Sequence, residues 1–334
     1  MKAKNPKIQT VVDTSVVLRC FEPDKSAYHF AKGFFNLCRL GYVAPLKTFT
    51  LAEEIIGVIK KQPAKIKAKD LINQIFFIDK KYALSDNIEL LAYRYMNFIP
   101  SLEGEFGDSK HVAAAACHGI SLLVSSNYNH LSVQHTVNDL WVFNKAENKP
   151  FLQIIGPEDF CVLLMKNNIE YLLNPNFIPD RYEQVLPKSI AVLKEAIDLR
   201  ARILGKRDET KSLSNKEQDE AARQALSLIW KSRILLENKC LPQEAELGRQ
   251  ILKCNFLSDK ERGFHSYLIE NKGNANDVID ADSIWKCLDT FWFDLINIQK
   301  EWESNKKDAL AWIGDLQSNS DSSKLALNNR SFNP

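Results

Sequence analysis

The apolar positions of this chain follow two rhythms. Over residues 8 to about 165, short β-branched runs alternate with helix-length stretches. Residues 8–12 (IQTVV) read as a strand, 27–40 as a helix, 42–44 as a strand and 51–60 as a helix. Further on, 111–118 reads as a small-residue helix, and 120–124 and 152–155 as buried strands. Such alternation predicts an α/β fold with a parallel sheet covered by helices on both faces. In open sheets of that type, ligands bind at the carboxyl ends of the strands.

From about residue 185 the strand signal stops. Residues 187–203, 215–237, 242–254, 259–270, 283–302 and 306–316 carry helical patterns. Ser214-x-x-Glu217 and Ser258-x-x-Glu261 read as capping boxes, in which side chains satisfy the orphan N–H groups of a first turn. Ile284, Leu288, Phe291, Trp292, Leu295 and Trp302 recur at helical spacing, so one face of that helix is expected to be buried. The expected organisation is an α/β domain over 1–165, an all-α domain over 185–317 and a disordered polar tail over 318–334.

Length supports the division, because 334 residues correspond to about two domains. A content of 45% hydrophobic and 26% charged residues, with 12 Gly and 12 Pro, excludes collagen-like and wholly disordered chains. Forty-four basic residues stand against 42 acidic ones, so any site for a polyanion is local rather than a property of the overall charge. The 7 cysteines form no C-x-x-C pair and no zinc-type ladder, which predicts reduced thiols. No apolar signal core precedes the first strand, and no run reaches the roughly 18 apolar residues a span needs. A cytoplasmic location without membrane association is expected.

The candidate chemistry lies in acids at strand ends and helix starts. Asp13 follows the first strand, where it could equally cap the next helix. Glu53 and Glu54 open a helix whose inner face is read as Ile55, Ile56, Val58 and Ile59; first-turn acids also complement the helix dipole. Asp108 begins DSKHVAAAACHG, and Asn127 follows the buried run ISLLVSS. Together, three acids and an amide fall on one rim. Carboxylates gathered in this way repel, and a hard divalent cation with oxygen ligands offsets the repulsion. Waters on such a cation support hydrolysis of a phosphodiester. His111 and His130 read as packed residues. No phosphate-loop, G-x-S-x-G or H-E-x-x-H pattern occurs.

VVDTSVV, TLAEEIIGV, DSKHVAAAACHGISLLVSSNYNHL and FLQIIGPEDF occur in this order over residues 7–165, and in order and spacing they resemble a PIN domain. The resemblance implies an α/β/α sandwich and Mg²⁺- or Mn²⁺-dependent cleavage of RNA, as in the toxins of VapBC-type toxin–antitoxin pairs. It assigns metal binding to Asp13 and Asp108 and to Glu53, with Glu54 the alternative if the register slips by one. Asn127 falls where many relatives carry Asp; it keeps a carbonyl oxygen but adds no charge. An antitoxin-like or regulatory protein partner and homodimerisation remain open.

A nuclease also needs phosphate contacts, and Lys60, Lys61 and Lys65, followed by Lys67 and Lys69, are the local candidates. The leading expectation is a divalent-metal-dependent ribonuclease with a helical domain of unassigned role. The competing expectations are a catalytically weakened PIN-fold binding or scaffolding protein, and another phosphoryl hydrolase using the same acids.

Overall fold

The computed structural model describes residues 8–25, 27–61, 67–73, 76–77, 86–168, 171–172, 174, 179, 181–208, 215–238 and 281–330. In chain order, β1 (Ile8–Val12), α1 (Thr14–Arg19), α2 (Tyr28–Leu40), β2 (Val43–Lys47), α3 (Phe49–Lys61), α4 (Lys67–Asn73) and β3 (Phe76–Phe77) come first. They are followed by α5 (Asp86–Phe98), a 3-10 turn (Pro100–Leu102), α6 (Phe106–Cys117), β4 (Leu122–Val124), α7 (Gln134–Ala146), β5 (Gln153–Ile155) and α8 (Pro157–Met165). The remaining helices are α9 (Tyr182–Asp208), α10 (Asn215–Asn238) and α11 (Ala281–Arg330).

All strand pairings are parallel. Four strands in the order β2-β1-β4-β5 form the sheet, and the two-residue β3 adds an edge beside β2. This is the parallel α/β arrangement predicted for the N-terminal part. Val11, Val12, Leu122, Leu123, Val124, Ile154 and Ile155 are buried, as strands covered on both faces require. On one face the alanines of α6 let that helix sit close to Val11 and Leu123, beside Leu91, Ala92 and Tyr95 of α5. The order reverses between β1 and β4, whose carboxyl ends therefore flank a topological switch point, where open sheets bind ligands.

The elements depart from expectation in several places. β2 continues through Pro45 to Lys47, and α5 and α7 were not anticipated. The two expected helices 283–302 and 306–316 are one helix, α11, and it continues through the expected tail to Arg330. No Gly or Pro lies between Asp315 and Arg330 to end it. The expected helices 242–254 and 259–270, and the boxes at Ser214 and Ser258, lie outside the described residues or side chains.

The chain divides into two compact units, Met1–Arg181 with Glu303–Pro334, and Tyr182–Trp302. The C-terminal part of α11 thus belongs with the sheet unit, whereas the expectation placed residues up to 317 in the helical domain. The reason is close packing. A Cβ on Gly33 of α2 would lie 3.0 Å from Ile313 Cδ1, and Tyr42 meets Trp312 edge to face. The second unit is helical where described. Ile229, Trp230, Ile234, Ile284, Leu288 and Leu295 are buried in it, consistent with the apolar stripe read from the sequence.

Arg181 is the last residue of the first segment of the sheet unit. It has a left-handed backbone (φ 51°) and is 1% exposed. Its guanidinium donates to Gln134 Oε1 (2.9 Å), the Ser132 carbonyl (3.1 Å) and Gln153 Oε1 (3.0 Å). It ties β5 to the loop that leaves β4. Cys20, Cys38, Cys117 and Cys161 carry no disulfide. Among the described residues no helix is long and apolar enough to cross a membrane.

Candidate active site

Asp13 stands immediately after β1, where its N–H donates to the Val124 carbonyl (3.0 Å) and so joins the ends of the two switch-point strands. Its side chain is buried. Asp13 Oδ2 accepts hydrogen bonds from Ser15 Oγ and from Ser125 Oγ (2.7 Å). Those hydroxyls in turn accept from the N–H groups of Ser126 (2.9 Å) and Asn127 (2.9 Å). The end of β4 is therefore clipped to the acid at the end of β1.

Three helices bring the other groups. Thr48 immediately precedes α3, and its hydroxyl oxygen accepts from the Leu51 N–H (3.1 Å), satisfying one orphan donor of the first turn. Thr48 Oγ1 also lies 2.8 Å from Nδ1 of His111, a residue one turn into α6 and fully buried. The other ring nitrogen, Nε2, is 3.3 Å from Glu54 Oε2 and 3.6 Å from Asp13 Oδ1. Thr14 at the start of α1 also donates to Glu54 Oε2. Glu54 reaches α6 itself, because a Cβ on Gly107 would collide with its Oε1.

Asp108 completes the group. Burial pushes its carboxyl up to about 7, the charges of Asp13, Glu105 and Glu54 add to the rise, and His111 opposes it. Burial alone would raise Glu54, but its hydrogen bonds from His111 and Thr14, with the charges of His111 and Lys110, hold it below the ordinary value. Burial likewise works against a charged His111. The Glu54 hydrogen bond and the charges of Asp13, Glu54 and Asp108 outweigh it and raise the imidazole pKa. The arrangement is a charge-coupled cluster with one buried imidazole among three carboxylates.

The structure brings together Asp13, Asp108, Asn127 and Glu54 but not Glu53, which is exposed. Glu54 occupies the place the sequence reading gave first to Glu53. The reason is helical phase: Leu51 and Ile55 are buried, and Glu54, three residues after Leu51, borders their stripe. Ile56, read as inner face, is 47% exposed.

Asn127 also differs from expectation. Its Oδ1 accepts from the N–H groups of Asn129 (3.3 Å) and His130 (3.2 Å), while its Nδ2 donates to Asp108 Oδ2 (2.7 Å). Its carbonyl oxygen holds a turn rather than facing the acids. The His130 ring has Nδ1 3.3 Å from the Ser101 carbonyl and Nε2 3.9 Å from Glu105 Oε1. Lys60 is exposed near the end of α3, whereas the Lys61 side chain and Lys65 lie outside what is described. His111, read as merely packed, and the hydroxyls of Thr14, Ser15, Thr48 and Ser125 were missed. The signal available was spacing: His111 lies three residues after Asp108, on the same side of a helix.

The donor chemistry suits a hard divalent cation: oxygen ligands, crowded negative charge and a carboxyl held near 7 by burial and its neighbours. Among the described residues, however, no group of three or more His, Cys, Asp or Glu is positioned to hold a metal ion, so these acids do not converge on one cation position in this structure. Comparisons with family models, with curated proteins and with solved structures return no match for this chain.

Proposed function

We propose that this chain is a divalent-metal-dependent ribonuclease of the PIN type acting at Asp13, Glu54 and Asp108. The observation that carries the reading is that Asp13 and Glu54 face the buried His111 at the switch point of a parallel sheet, with Asp108 on the same helix as His111. Asp13, Glu54 and Asp108 would hold Mg²⁺ or Mn²⁺, which when bound neutralises phosphodiester charge and lowers the pKa of a water.

The protein's own groups have separate duties in this scheme. Ser15 and Ser125 fix the Asp13 carboxylate, and Thr14 and His111 fix Glu54. Asn127 donates to Asp108, favouring its charged form against the repulsion of the other acids. Such support from surrounding hydrogen bonds orients ligands before any cation arrives.

The test is incubation of the full chain with mixed-sequence RNA and Mn²⁺ beside Asp13→Asn and Asp108→Asn, with circular dichroism melts of each. Expected is cleavage by the native chain that chelator abolishes, and its loss in both folded variants. Cleavage that persists in either folded variant overturns the assignment. A second reading is a PIN-fold RNA-binding protein without cleavage. It is favoured by the open arrangement of the acids and by an Asn127 oxygen committed to its own loop. RNA binding without metal-dependent cleavage selects it.

A further inference from the structure

The Tyr93 ring of α5 lies on the Phe106 ring of α6, with centroids 4.4 Å apart and planes 29° apart. Tyr93 is nevertheless 49% exposed, so this stack is not a closed core contact. Lys110 Nζ lies 4.9 Å from the Phe106 centroid, where the ring quadrupole attracts a cation. Phe106 and Lys110, one turn apart, share a face of α6 that is not the face of Asp108, and Lys110 lies close enough to Glu54 for its charge to act there. A lysine near Glu54 therefore stands beside an aromatic pair whose outer ring is open.

We infer that Tyr93, Phe106 and Lys110 form a binding subsite for single-stranded nucleic acid, with a base stacked on Tyr93 and the adjoining phosphate at Lys110. Every base has a π-face, so stacking of this kind is tolerant of sequence. A duplex already has its bases stacked on one another and offers none to Tyr93. The lysine supplies what an acid cluster lacks, a cation for the phosphate next to it. Leu90 and Phe98 on α5 are also exposed, but an apolar patch for a protein would not call for a cation at the margin of a carboxylate cluster. The position of the cleaved bond in this scheme rests on the ribonuclease reading; the binding itself does not.

The experiment measures fluorescence anisotropy of a short labelled single-stranded RNA of mixed sequence, and of its duplex, with the full chain in chelator. Tyr93→Ala, Tyr93→Trp and Lys110→Gln are compared, with circular dichroism as the fold check. Expected is a loss of about tenfold in single-strand affinity for Tyr93→Ala, affinity kept or raised for Tyr93→Trp, and a shallower salt dependence for Lys110→Gln. Duplex binding should be insensitive to Tyr93. The inference is overturned by native-like binding of the folded Tyr93→Ala chain, by equal losses for duplex and single strand, or by absence of RNA binding in the native chain. A change in oligomeric state of Tyr93→Ala with RNA affinity intact overturns it in favour of a protein-binding patch. Cleavage is scored separately: binding that depends on Tyr93 without cleavage leaves the subsite standing and sinks the ribonuclease, and the converse result does the opposite.

Discussion

Gly107 leaves room for Glu54: a Cβ at residue 107 would clash with Glu54 Oε1. The contact is with the far end of a flexible side chain, so Gly107→Ala moves the carboxylate rather than the helix. Alanine is also favoured over glycine in a helix by about 0.5–1 kcal/mol. Gly107→Ala is expected to melt within a few degrees of the native chain while RNA cleavage falls about tenfold or more, since each 1.36 kcal/mol of misplaced stabilisation is tenfold in rate. Parallel melts and cleavage assays check this, and an active variant would show that the position of Glu54 is immaterial.

The adjacent glutamates provide a sharper comparison. Glu54→Gln keeps one oxygen that can accept from Thr14 but removes the negative charge that faces His111, and is expected to reduce cleavage by roughly 10²-fold or more if it also weakens a cation ligand. Glu53→Gln, at an exposed position, is expected to change activity less than about twofold and stability by no more than about 0.5 kcal/mol. Initial rates with Mn²⁺ in excess decide between them, and the reverse ranking would restore Glu53 to the site.

Asp108 makes stability depend on pH in a direction opposite to that of a salt-bridged acid. Its carboxyl has an ordinary value of 3.8 and is pushed to about 7 in the folded chain, so the folded state binds the proton more tightly. The contribution of Asp108 to the stability of the metal-free protein should therefore fall as pH rises from 3.8 to about 7, whereas Glu54 and Glu147, both held low, contribute in the opposite sense up to about 4.5. His111, also raised, adds to the fall as pH passes its folded pKa. Asp108→Asn should flatten the dependence and melt above the native chain at about pH 8 in chelator. Melting curves across the window, with and without Mn²⁺, test the sign. A native chain that gains stability between about 4.5 and about 7 contradicts it.

What the sequence made legible, and what it hid, follows from the kind of signal each residue leaves. Asp13 was visible because a short apolar run ends on it. Asp108 was visible because it heads an alanine-rich helix. Glu54 was obscured because four apolar residues follow it, and only a strict helical phase from Leu51 separates the buried Ile55 from the exposed Ile56. The polar stretch ESNKKD at 303–308 reads as a break between helices, yet it contains no helix breaker and α11 passes through it. Tyr93 and Phe106 are thirteen positions apart on different helices, so their stacking is a tertiary fact that no local pattern announces.

Asn127→Asp adds an acid after β4, and it would replace a hydrogen-bond donor to Asp108 with a like charge. The metal-free variant is expected to lose about 2 kcal/mol near pH 8, because the lost bond is to a charged group. Mn²⁺ should then raise its melting temperature by more than it raises that of the native chain. Titration of Mn²⁺ during thermal melts tests both halves, and an equal metal response would place residue 127 outside the cation's influence.

Arg181 is expected to be more important for stability than any acid of the cluster. Arg181→Leu leaves Gln134 Oε1, the Ser132 carbonyl and Gln153 Oε1 without the donor they share in a buried setting. The expected cost is about 3 kcal/mol or more. Urea unfolding should show a lower midpoint at an unchanged slope. A loss below about 1 kcal/mol would mean that the loop after β4 is held by other contacts.

The return of α11 to the sheet unit has a consequence for how the protein is made. Domains emerging from a ribosome generally fold in order from the N-terminus. Here the segment bearing Asp13, Glu54 and Asp108 leaves the ribosome long before Ile313 and Trp312, the residues that pack on Gly33 and Tyr42. Until those last turns are synthesised, the surface of α2 around Gly33 stays bare, and the unit that carries the acids is incomplete. Its closure waits on a helix that begins within the other unit.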